Sequence, residues 1–361
     1  MKKLKSSVMV YKNKNNNIVL TKNSVKDSYG LMNLVEPHKI ILAMLDGKHS
    51  KDQILEYINC HGNDFSENEY DEFLEILEDV NVLEDVHDNI LTEAELERFS
   101  RQLLLFGDIK NNSFEDAQKF QKKLKQSHVV LLGLGGTGSY TFYGLAAMGV
   151  GEITLVDYDR VELSNLTRQI LYTEEDIGKL KTEVVKAKCE KINSEIKYNI
   201  YNEKIEDVRS LQRIIKGSNF VISQIDYPRF KIKAIVNEAC YLEGIPYLCS
   251  SGTIGDSGVC GPIIVPGETA CYECFAGDNR PIIDEEFMYQ VNSRIKTSII
   301  DPYNAIIANC AVLETVKYLT GFSETQLINR YFTINYDNYE IKFYDVAKDP
   351  ECRVCGEKKN V

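Results

Sequence analysis

Histidine is missing from the second half of this 361-residue chain, because all five of its histidines lie at or before His128. Histidine-based triads and histidine metal ligands are therefore excluded from that half. Long apolar runs are missing too: none approaches the roughly 18 residues of a membrane span. Residues 1–5 contain no hydrophobic signal core either. We expect a cytoplasmic protein with no membrane partner.

Positive charge is also scarce, with 42 Lys and Arg against 54 Asp and Glu and a net charge of −12. Nucleic-acid binding needs clustered Lys and Arg for phosphate contacts, so we expect no nucleic-acid partner. The apolar fraction of 43% and the charged fraction of 27% are typical of a globular protein. The length suffices for one large domain and one small domain.

Residues 128–181 contain an apolar run, a glycine turn, a helix-period segment and a second apolar run that ends at Asp157. The turn carries four glycines: Gly133, Gly135, Gly136 and Gly138. Glycines let the backbone approach phosphate, a helix N-terminus offers unpaired N–H groups, and the acid can accept a hydrogen bond from a ribose hydroxyl. These residues alone are typical of a dinucleotide-binding oxidoreductase.

Polar side chains that follow the turn favour a nucleoside triphosphate instead. They are Asp159, Asn165, Arg168, Lys181 and Asp226. In a dinucleotide-binding enzyme the glycine turn is enough to hold the pyrophosphate of the cofactor. A nucleoside triphosphate carries more negative charge, which suits the bidentate fork of Arg168 and the point charge of Lys181. Asp226 is predicted at the carboxyl end of a strand, where open α/β sheets bind ligands. Beside phosphates it is well placed to hold Mg²⁺.

The remaining periodicity predicts an α/β protein with a Rossmann-like, doubly wound mixed sheet. Helices are predicted at 175–192, 229–243 and 303–319, strands at 220–224 and 245–250, a glycine-rich β-type stretch at 252–267 and a hairpin within 331–345. The pattern of apolar and turn residues in 1–90 predicts a small winged-helix-like α+β domain with two strands and three helices. The second of these helices begins at Ser50 and the third at Ser66, with Glu69 as its capping-box partner. The third helix is acidic, which disfavours DNA binding. Residues 91–127 predict a helical linker.

Four of the ten cysteines form two Cys-x-x-Cys pairs, Cys271 with Cys274 and Cys352 with Cys355. In a cytosolic chain this pattern indicates metal binding before disulfides. Four thiolates suit a closed tetrahedral zinc, which is structural because no position is left for water. A thioredoxin-like redox pair is disfavoured, because there are two such pairs. Cys310 lies in an apolar helical run, where we expect an inert thiol.

Four sequence blocks resemble the ubiquitin-activating-like, ThiF-type adenylyltransferases. They are Gly-x-Gly-Gly-x-Gly at 133–138, Val-Asp-Tyr-Asp at 156–159, Leu-Ser-Asn-Leu-Thr-Arg-Gln at 163–169 and Gly-Lys-Leu-Lys-Thr-Glu at 178–183. The resemblance covers about residues 95–357 and implies that residues 128–361 form an adenylation domain. It further implies that Asp157 holds the ribose, that Asn165, Arg168 and Lys181 address the phosphates, and that Asp226 binds Mg²⁺. Arg101 matches an arginine that acts across a homodimer.

The segment 275–309 lacks the reactive cysteine of the thioester or persulfide type of activator. Its Asn-Ser-Arg-Ile-Lys stretch at 292–296 resembles the microcin C peptide adenylyltransferases. Residues 7–86 resemble the PqqD-like peptide-recognition elements, which capture an extended peptide by strand addition. An accessory packing domain is the alternative for this module.

These resemblances imply an ATP-dependent enzyme that adenylates the C-terminal carboxylate of a short ribosomally made peptide. An acyl-adenylate would form first, followed by a succinimide and a phosphoramidate if the peptide permits. Two alternatives stay open: an activator of a small sulfur-carrier protein, and a non-catalytic scaffold that presents a leader peptide to a partner enzyme. No residue in the sequence distinguishes adenine from cytosine, so ATP and CTP are both possible on this ground.

Overall fold

A computed structural model of the protein describes residues 1–22, 28–31, 33–109, 112–229, 231–277, 285–295 and 298–356. The chain divides into two compact units, Met1–Lys122 and Lys123–Val361. The segment 91–127, predicted as a linker, therefore lies mostly within the first unit. No helix in the described part of the chain combines the length and apolar character needed to cross a membrane.

The N-terminal unit consists of two small sheets and a set of helices. Its strands are β1 (Lys2–Leu4), β2 (Met9–Lys12), β3 (Ile18–Thr21), β4 (Ser28–Leu31) and β5 (Leu83–Asp85). Its helices are α1 (Glu36–Met44), α2 (Lys51–Cys60), α3 (Glu67–Asp79), α4 (Glu93–Arg98), α5 (Ser100–Asp108) and α6 (Phe114–Lys125), which contains the boundary. Strands β2, β3 and β4 form one antiparallel sheet, and β1 pairs with β5.

The predicted helix starts at Ser50 and Ser66 are confirmed. Ser66 donates its backbone N–H to Glu69 Oε2 at 2.8 Å, and its Oγ accepts from the Glu69 N–H at 3.3 Å. Both helices bury one apolar face in a core that also contains Leu20 of β3. Strand β4 was not predicted, because Ser28–Leu31 has no run of β-branched residues and contains a glycine.

The C-terminal unit alternates strands and helices before an antiparallel end. Its strands are β6 (His128–Leu132), β7 (Glu152–Val156), β8 (Lys197–Tyr201), β9 (Phe220–Ser223), β10 (Tyr247–Leu248), β11 (Ser251–Ile254), β12 (Ser257–Cys260), β13 (Ile263–Ile264), β14 (Arg330–Asn335) and β15 (Ile341–Asp345). Its helices are α7 (Gly136–Met148), α8 (Lys181–Ile192), α9 (Val208–Ile215), α10 (Ile232–Glu243), α11 (Tyr272–Ala276), α12 (Glu286–Asn292) and α13 (Asp301–Thr320).

The main sheet has the order β13-β10-β9-β6-β7-β8, in which only β13 runs antiparallel to its neighbour. A second, antiparallel sheet has the order β11-β12-β14-β15. The predicted mixed Rossmann-like fold and the C-terminal hairpin are confirmed. Strand β6 is central and its residues Val129–Leu132 are completely buried, which explains their uninterrupted apolar character.

Two predicted helices begin later than expected. The helix predicted from 175 begins at Lys181, because Glu174–Asp176 is a 3-10 turn and Gly178 follows with a φ of +86°. The helix predicted from 229 begins at Ile232, after Pro228, whose carbonyl accepts from the Lys231 and Ile232 N–H groups. Both late starts leave irregular backbone at the carboxyl edge of the main sheet, which is where α/β proteins place ligands.

Candidate functional site

The glycine turn follows β6 at the centre of the main sheet and is packed tightly on most sides. Gly133 has a φ of +97°, and a Cβ there would lie 2.6 Å from the Gln224 carbonyl oxygen. A Cβ at Gly136 would lie 2.4 Å from Asn304 Nδ2, and one at Gly138 would lie 2.0 Å from the Gly133 carbonyl oxygen. A Cβ at Gly135 would meet no heavy atom of the described residues within 4 Å. The turn is therefore open to an incoming group at Gly135.

A small, solvent-open cleft of about 90 Å³ lies over this turn, at the carboxyl ends of β6, β7, β8 and β9. It brings together six of the predicted site residues: Gly133, Gly135, Asp157, Asp159, Lys181 and Asp226. Asn165 and Arg168 are not among the described residues that line it. The carboxyl edge of the sheet thus gathers acids and one lysine around an exposed backbone turn, an arrangement suited to a phosphorylated ligand.

Asp157 is almost completely buried, and its carboxylate is held by backbone donors. Its Oδ2 accepts from the Leu134 N–H at 2.6 Å and its Oδ1 from the Asp159 N–H at 2.8 Å. The carboxylate therefore fixes the glycine turn to the end of β7. Each carboxylate oxygen has a second lone pair, so Asp157 can still accept from a ligand hydroxyl.

Lys181 begins α8 with its side chain 5% exposed, and its Nζ lies 2.9 Å from Asp159 Oδ2. The Asp159 side chain is 50% exposed, so the ion pair joins a buried lysine to an acid that faces the cleft. An ammonium group has three donors, and one acid partner leaves capacity for phosphate oxygens. Asp226 is exposed in the same cleft, three residues after β9.

Asn165 and Arg168 lie on the loop between β7 and α8. Asn165 is buried on the 3-10 turn Leu163–Asn165, where its Oδ1 accepts from the Glu162 N–H at 3.1 Å. Arg168 Nη1 donates to the Ser164 carbonyl at 2.7 Å. Arg101 belongs to the N-terminal unit, where it is exposed on α5. The phosphate role of these three residues stays a prediction.

Two residues that line the cleft, Tyr158 and Tyr227, and a lysine beside their rings, Lys204, were not assigned to the site from the sequence. Lys204 Nζ lies 4.0 Å from the Tyr227 ring centroid and 5.7 Å from the Tyr158 centroid. The two rings are 6.2 Å apart in a T-shaped arrangement. Burial raises the pKa of Tyr158, and the nearby Asp159 and Asp226 charges act in the same direction, so its hydroxyl stays protonated. Tyr158 stands in the Val-Asp-Tyr-Asp block, where only the two acids were assigned a role, whereas Lys204 and Tyr227 follow β8 and β9 and belong to none of the four sequence blocks.

Two side chains that support the turn were also missed, the partly buried Gln224 and the buried Asn304. Gln224 Nε2 donates to Thr141 Oγ1 at 2.9 Å and to Ser251 Oγ at 2.7 Å. Asn304 of α13 packs against Gly136 and accepts from Thr137 Oγ1 at 3.3 Å. Both lie far from the turn in sequence, and each is an ordinary polar residue without a motif of its own.

The four predicted cysteine ligands form a compact cluster. Their Sγ atoms all lie within 4.8 Å of one another, with Cys271 and Cys352 at 3.5 Å and Cys274 and Cys355 at 3.4 Å. A tetrahedral zinc with Zn–S bonds of about 2.3 Å requires Sγ separations of about 3.8 Å. The set is therefore close to the arrangement that zinc needs, and its soft thiolate donors fit that ion.

The turns around the cluster are built for a closed site. A Cβ at Gly356 would lie 2.4 Å from the Cys352 carbonyl oxygen, so the turn after Cys355 requires glycine. The Asp349 N–H donates to Cys274 Sγ at 3.4 Å. Burial raises the pKa of the Cys352 thiol, but the N–H donors of Cys355 and Val354, together with hydrogen bonds from the Cys271 and Cys274 thiols, outweigh it and bring that pKa to about 7. Burial raises the pKa of Cys310, in agreement with an inert thiol.

A pair of glycine substitutions tests the geometry of the turn. Gly138→Ala will lower the free energy of unfolding by about 1–3 kcal/mol or more, because its methyl group meets the Gly133 carbonyl. Gly135→Ala will leave the melting temperature unchanged and will weaken nucleotide binding, because its methyl group enters the cleft. Thermal unfolding and nucleotide titration of both variants check this. Equal losses of melting temperature would contradict it.

Comparison with known proteins extends these observations to the whole chain. The ThiF family profile matches residues 99–354. The adenylyltransferase and sulfurtransferase UBA4 of Lodderomyces elongisporus is 28% identical over 289 residues, 76% of this chain, which spans 58% of that relative's length. The molybdopterin-synthase adenylyltransferase of Salmonella typhimurium is 26% identical over 269 residues, 74% of this chain and 99% of that protein. The crystal structure of Escherichia coli MccB with MccA-N7isoASN has a TM-score of 0.77 at 28% identity and covers 99% of both chains.

Proposed function

Because the chain belongs to the ThiF family and is an adenylyltransferase, we propose that it activates the C-terminal carboxylate of a short, ribosomally made peptide with ATP. The observation that carries this proposal is the extent of the structural match. The match to MccB spans 99% of both chains and so includes the N-terminal unit, whereas the two sequence relatives cover 76% and 74% of this chain. A peptide acceptor also agrees with the absence of cysteine from residues 275–309.

The cleft over the glycine turn is the proposed nucleotide site. Asp157 would accept from the ribose, and the exposed backbone at Gly135 with the α7 N-terminus would face the phosphates. Lys181, Arg168 and Asn165 would donate hydrogen bonds to the phosphate oxygens. Of these three residues, Lys181 lines the cleft. Asp226, a carboxylate beside that anion, is a suitable ligand for the Mg²⁺ that accompanies ATP.

The chemistry requires no general base, because a carboxylate is ionised at neutral pH. One carboxylate oxygen attacks the α-phosphorus, a C–O–P bond forms, and the bond to the β-phosphate bridging oxygen breaks with its electron pair on pyrophosphate. The work left for the protein is alignment and neutralisation of negative charge, for which this cleft has a lysine, backbone donors and the carboxylate of Asp226 as a holder for Mg²⁺. A second step through a succinimide to a phosphoramidate depends on an asparagine at the peptide's end.

Arg101 and the cysteine cluster complete the proposal. Arg101 is exposed on α5 and would reach the nucleotide of the partner in a homodimer, as the family resemblance implies. Cys271, Cys274, Cys352 and Cys355 would hold a structural zinc. Lys296, the last residue of the stretch that resembles the microcin C enzymes, lies outside the described residues. The PqqD-like peptide-recognition role of the N-terminal unit belongs to the same proposal.

Pyrophosphate release with different acceptors tests the peptide assignment. We expect release from ATP to depend on a short peptide with a free C-terminal carboxylate, and a sulfur-carrier protein ending in Gly-Gly to be inactive. The assay is run with each acceptor, with both and with neither. Release with the carrier protein alone would contradict the proposal.

That outcome would favour the second candidate, an activator of sulfur-carrier proteins. The specific observation in its favour is the pair of sequence relatives named above: one is a molybdopterin-synthase adenylyltransferase, and the other is both an adenylyltransferase and a sulfurtransferase. Binding of a peptide without any pyrophosphate release would instead favour the scaffold hypothesis.

A further inference from the structure

Three cations lie on the segment that follows Asp226, at the start of α10. They are Arg229, Lys231 and Lys233. In the part of the chain that the structure describes, none of them forms an ion pair with a carboxylate; their contacts go to neutral groups. Arg229 Nη1 lies 3.4 Å from the Asn292 carbonyl oxygen, and Lys233 Nζ lies 2.7 Å from Ser250 Oγ. Lys231 Nζ lies 5.9 Å from the Tyr289 ring centroid.

Three such cations together are unusual in a protein of net charge −12. Several other cations in the same unit do have acid partners, among them Lys181 with Asp159, Lys317 with Glu314 and Arg353 with Glu273. Others, such as Arg160 and Arg168, donate to a nearby backbone carbonyl. Clustered positive charge without acid partners repels itself unless an anion is present, so this segment points to an anionic ligand.

The strand order places this segment on one flank of the glycine turn, and this flank indicates which anion the cations would meet if the proposed function holds. In the main sheet β9 and β7 flank β6 on opposite sides, so the Asp226–Lys233 segment and the Asp157–Lys181 loop lie on opposite flanks of the glycine turn. Phosphoryl and nucleotidyl transfer place the attacking and leaving oxygens roughly in line. Because Lys181 and Arg168 address the leaving pyrophosphate on the β7 flank, the attacking oxygen must approach from the β9 flank.

We propose that Arg229 and Lys231 form the subsite for the acceptor's terminal carboxylate. Arg229, half-buried and with a planar fork, would bind the carboxylate and aim one oxygen at the α-phosphorus, and Lys231 would reduce the repulsion between the two anions. The residues act by binding and orienting, and no proton moves. Both contact α12, whose Phe287 and Val291 are 55% and 57% exposed and offer apolar surface to the acceptor's last side chains.

A binding measurement tests the subsite independently of turnover. The probes are a fluorescein-labelled heptapeptide that ends in asparagine with a free α-carboxylate, and the same peptide with a C-terminal carboxamide. Both are titrated by anisotropy with the full chain, Mg²⁺ and α,β-methylene ATP, which cannot release pyrophosphate. We expect the acid to bind about tenfold more tightly than the amide, because a charge-assisted contact is lost in the amide.

Arg229→Gln and Lys231→Gln will each reduce this acid-to-amide preference several-fold, and the double variant will abolish it. Nucleotide affinity and melting temperature will not change. Arg209→Gln, an exposed arginine on α9, is the matched control and will keep the full preference. The proposal is overturned if the unaltered protein binds the acid and the amide equally well, or binds neither. It is also overturned if the double variant keeps the full preference for the acid. The proposed function fails separately, when neither peptide nor carrier protein supports pyrophosphate release.

Discussion

Replacement of Asp226 by alanine will reduce acceptor-dependent pyrophosphate release by at least about 100-fold, the loss typical of removing one group that stabilises charge in a transition state. Asp226 lies exposed in the cleft, on the loop after β9 and opposite the Asp159–Lys181 ion pair. Without its carboxylate the Mg²⁺–ATP complex would lose the protein ligand proposed for it, and the negative charge that develops during transfer would be less neutralised. The readout is the rate of ATP–pyrophosphate exchange at saturating acceptor.

Two further variants separate charge from shape and from general damage. Asp226→Asn keeps the shape and should lose nearly as much activity as the alanine variant. Asp256→Ala removes an exposed carboxylate from the β11–β12 turn and should leave the rate unchanged. Because Asp226 is exposed, its replacement should not lower the melting temperature. Full exchange activity in Asp226→Ala would contradict the assignment of this residue.

We expect replacement of Cys274 by serine to abolish zinc binding at the proposed site and to destabilise the C-terminal unit. The four Sγ atoms lie within 4.8 Å of one another and link α11 to the chain after β15. Loss of a structural metal belongs to the largest single-site effects, at least about 4 kcal/mol. For a unit of this size such a loss corresponds to about 10 °C in melting temperature.

Zinc content by mass spectrometry and thermal unfolding measure this effect. The purified protein should contain one zinc per chain, and Cys274→Ser should contain much less. Cys60→Ser is the matched control, because Cys60 is exposed in the N-terminal unit and lies outside the cluster. Treatment with a strong chelator should reproduce the lower melting temperature in the unaltered protein and have no further effect on the variant. A stable Cys274→Ser variant with full zinc content would contradict the site.

The central parts of the fold and cleft could be predicted because their signals are local. An apolar strand that is buried on both faces, a glycine turn and an acid at the next strand's end identify β6, the turn and Asp157 from neighbouring residues. The two Cys-x-x-Cys pairs are equally local, and the structure brings all four together. Lys181 was predicted as a site residue, and the structure places it in the cleft. It reaches the cleft because α8 begins at this residue and not at 175.

The residues that escaped prediction depend on contacts distant in sequence. Lys204 and Tyr227 follow β8 and β9, which are three strand positions apart in the sheet, about 14 Å at ordinary strand spacing. Their contact at 4.0 Å therefore depends on how two loops curve over the turn, which no local pattern encodes. Asn304 supports Gly136 from a helix more than 160 residues away. Strand β8 was missed because an edge strand with partly exposed residues, Lys197–Tyr201, lacks the apolar run of a central strand.

The order in which a ribosome makes this chain gives the cysteine cluster a further consequence. Its first pair is synthesised long before its second, because 77 residues separate Cys274 from Cys352. During translation the earlier pair emerges without its two partner thiols, and the four-cysteine cluster can form only after residue 355 has left the exit tunnel. A prematurely terminated chain would contain the glycine turn and the cleft acids but would lack the complete cysteine cluster. Cellular proteases could therefore distinguish such a fragment from the finished product.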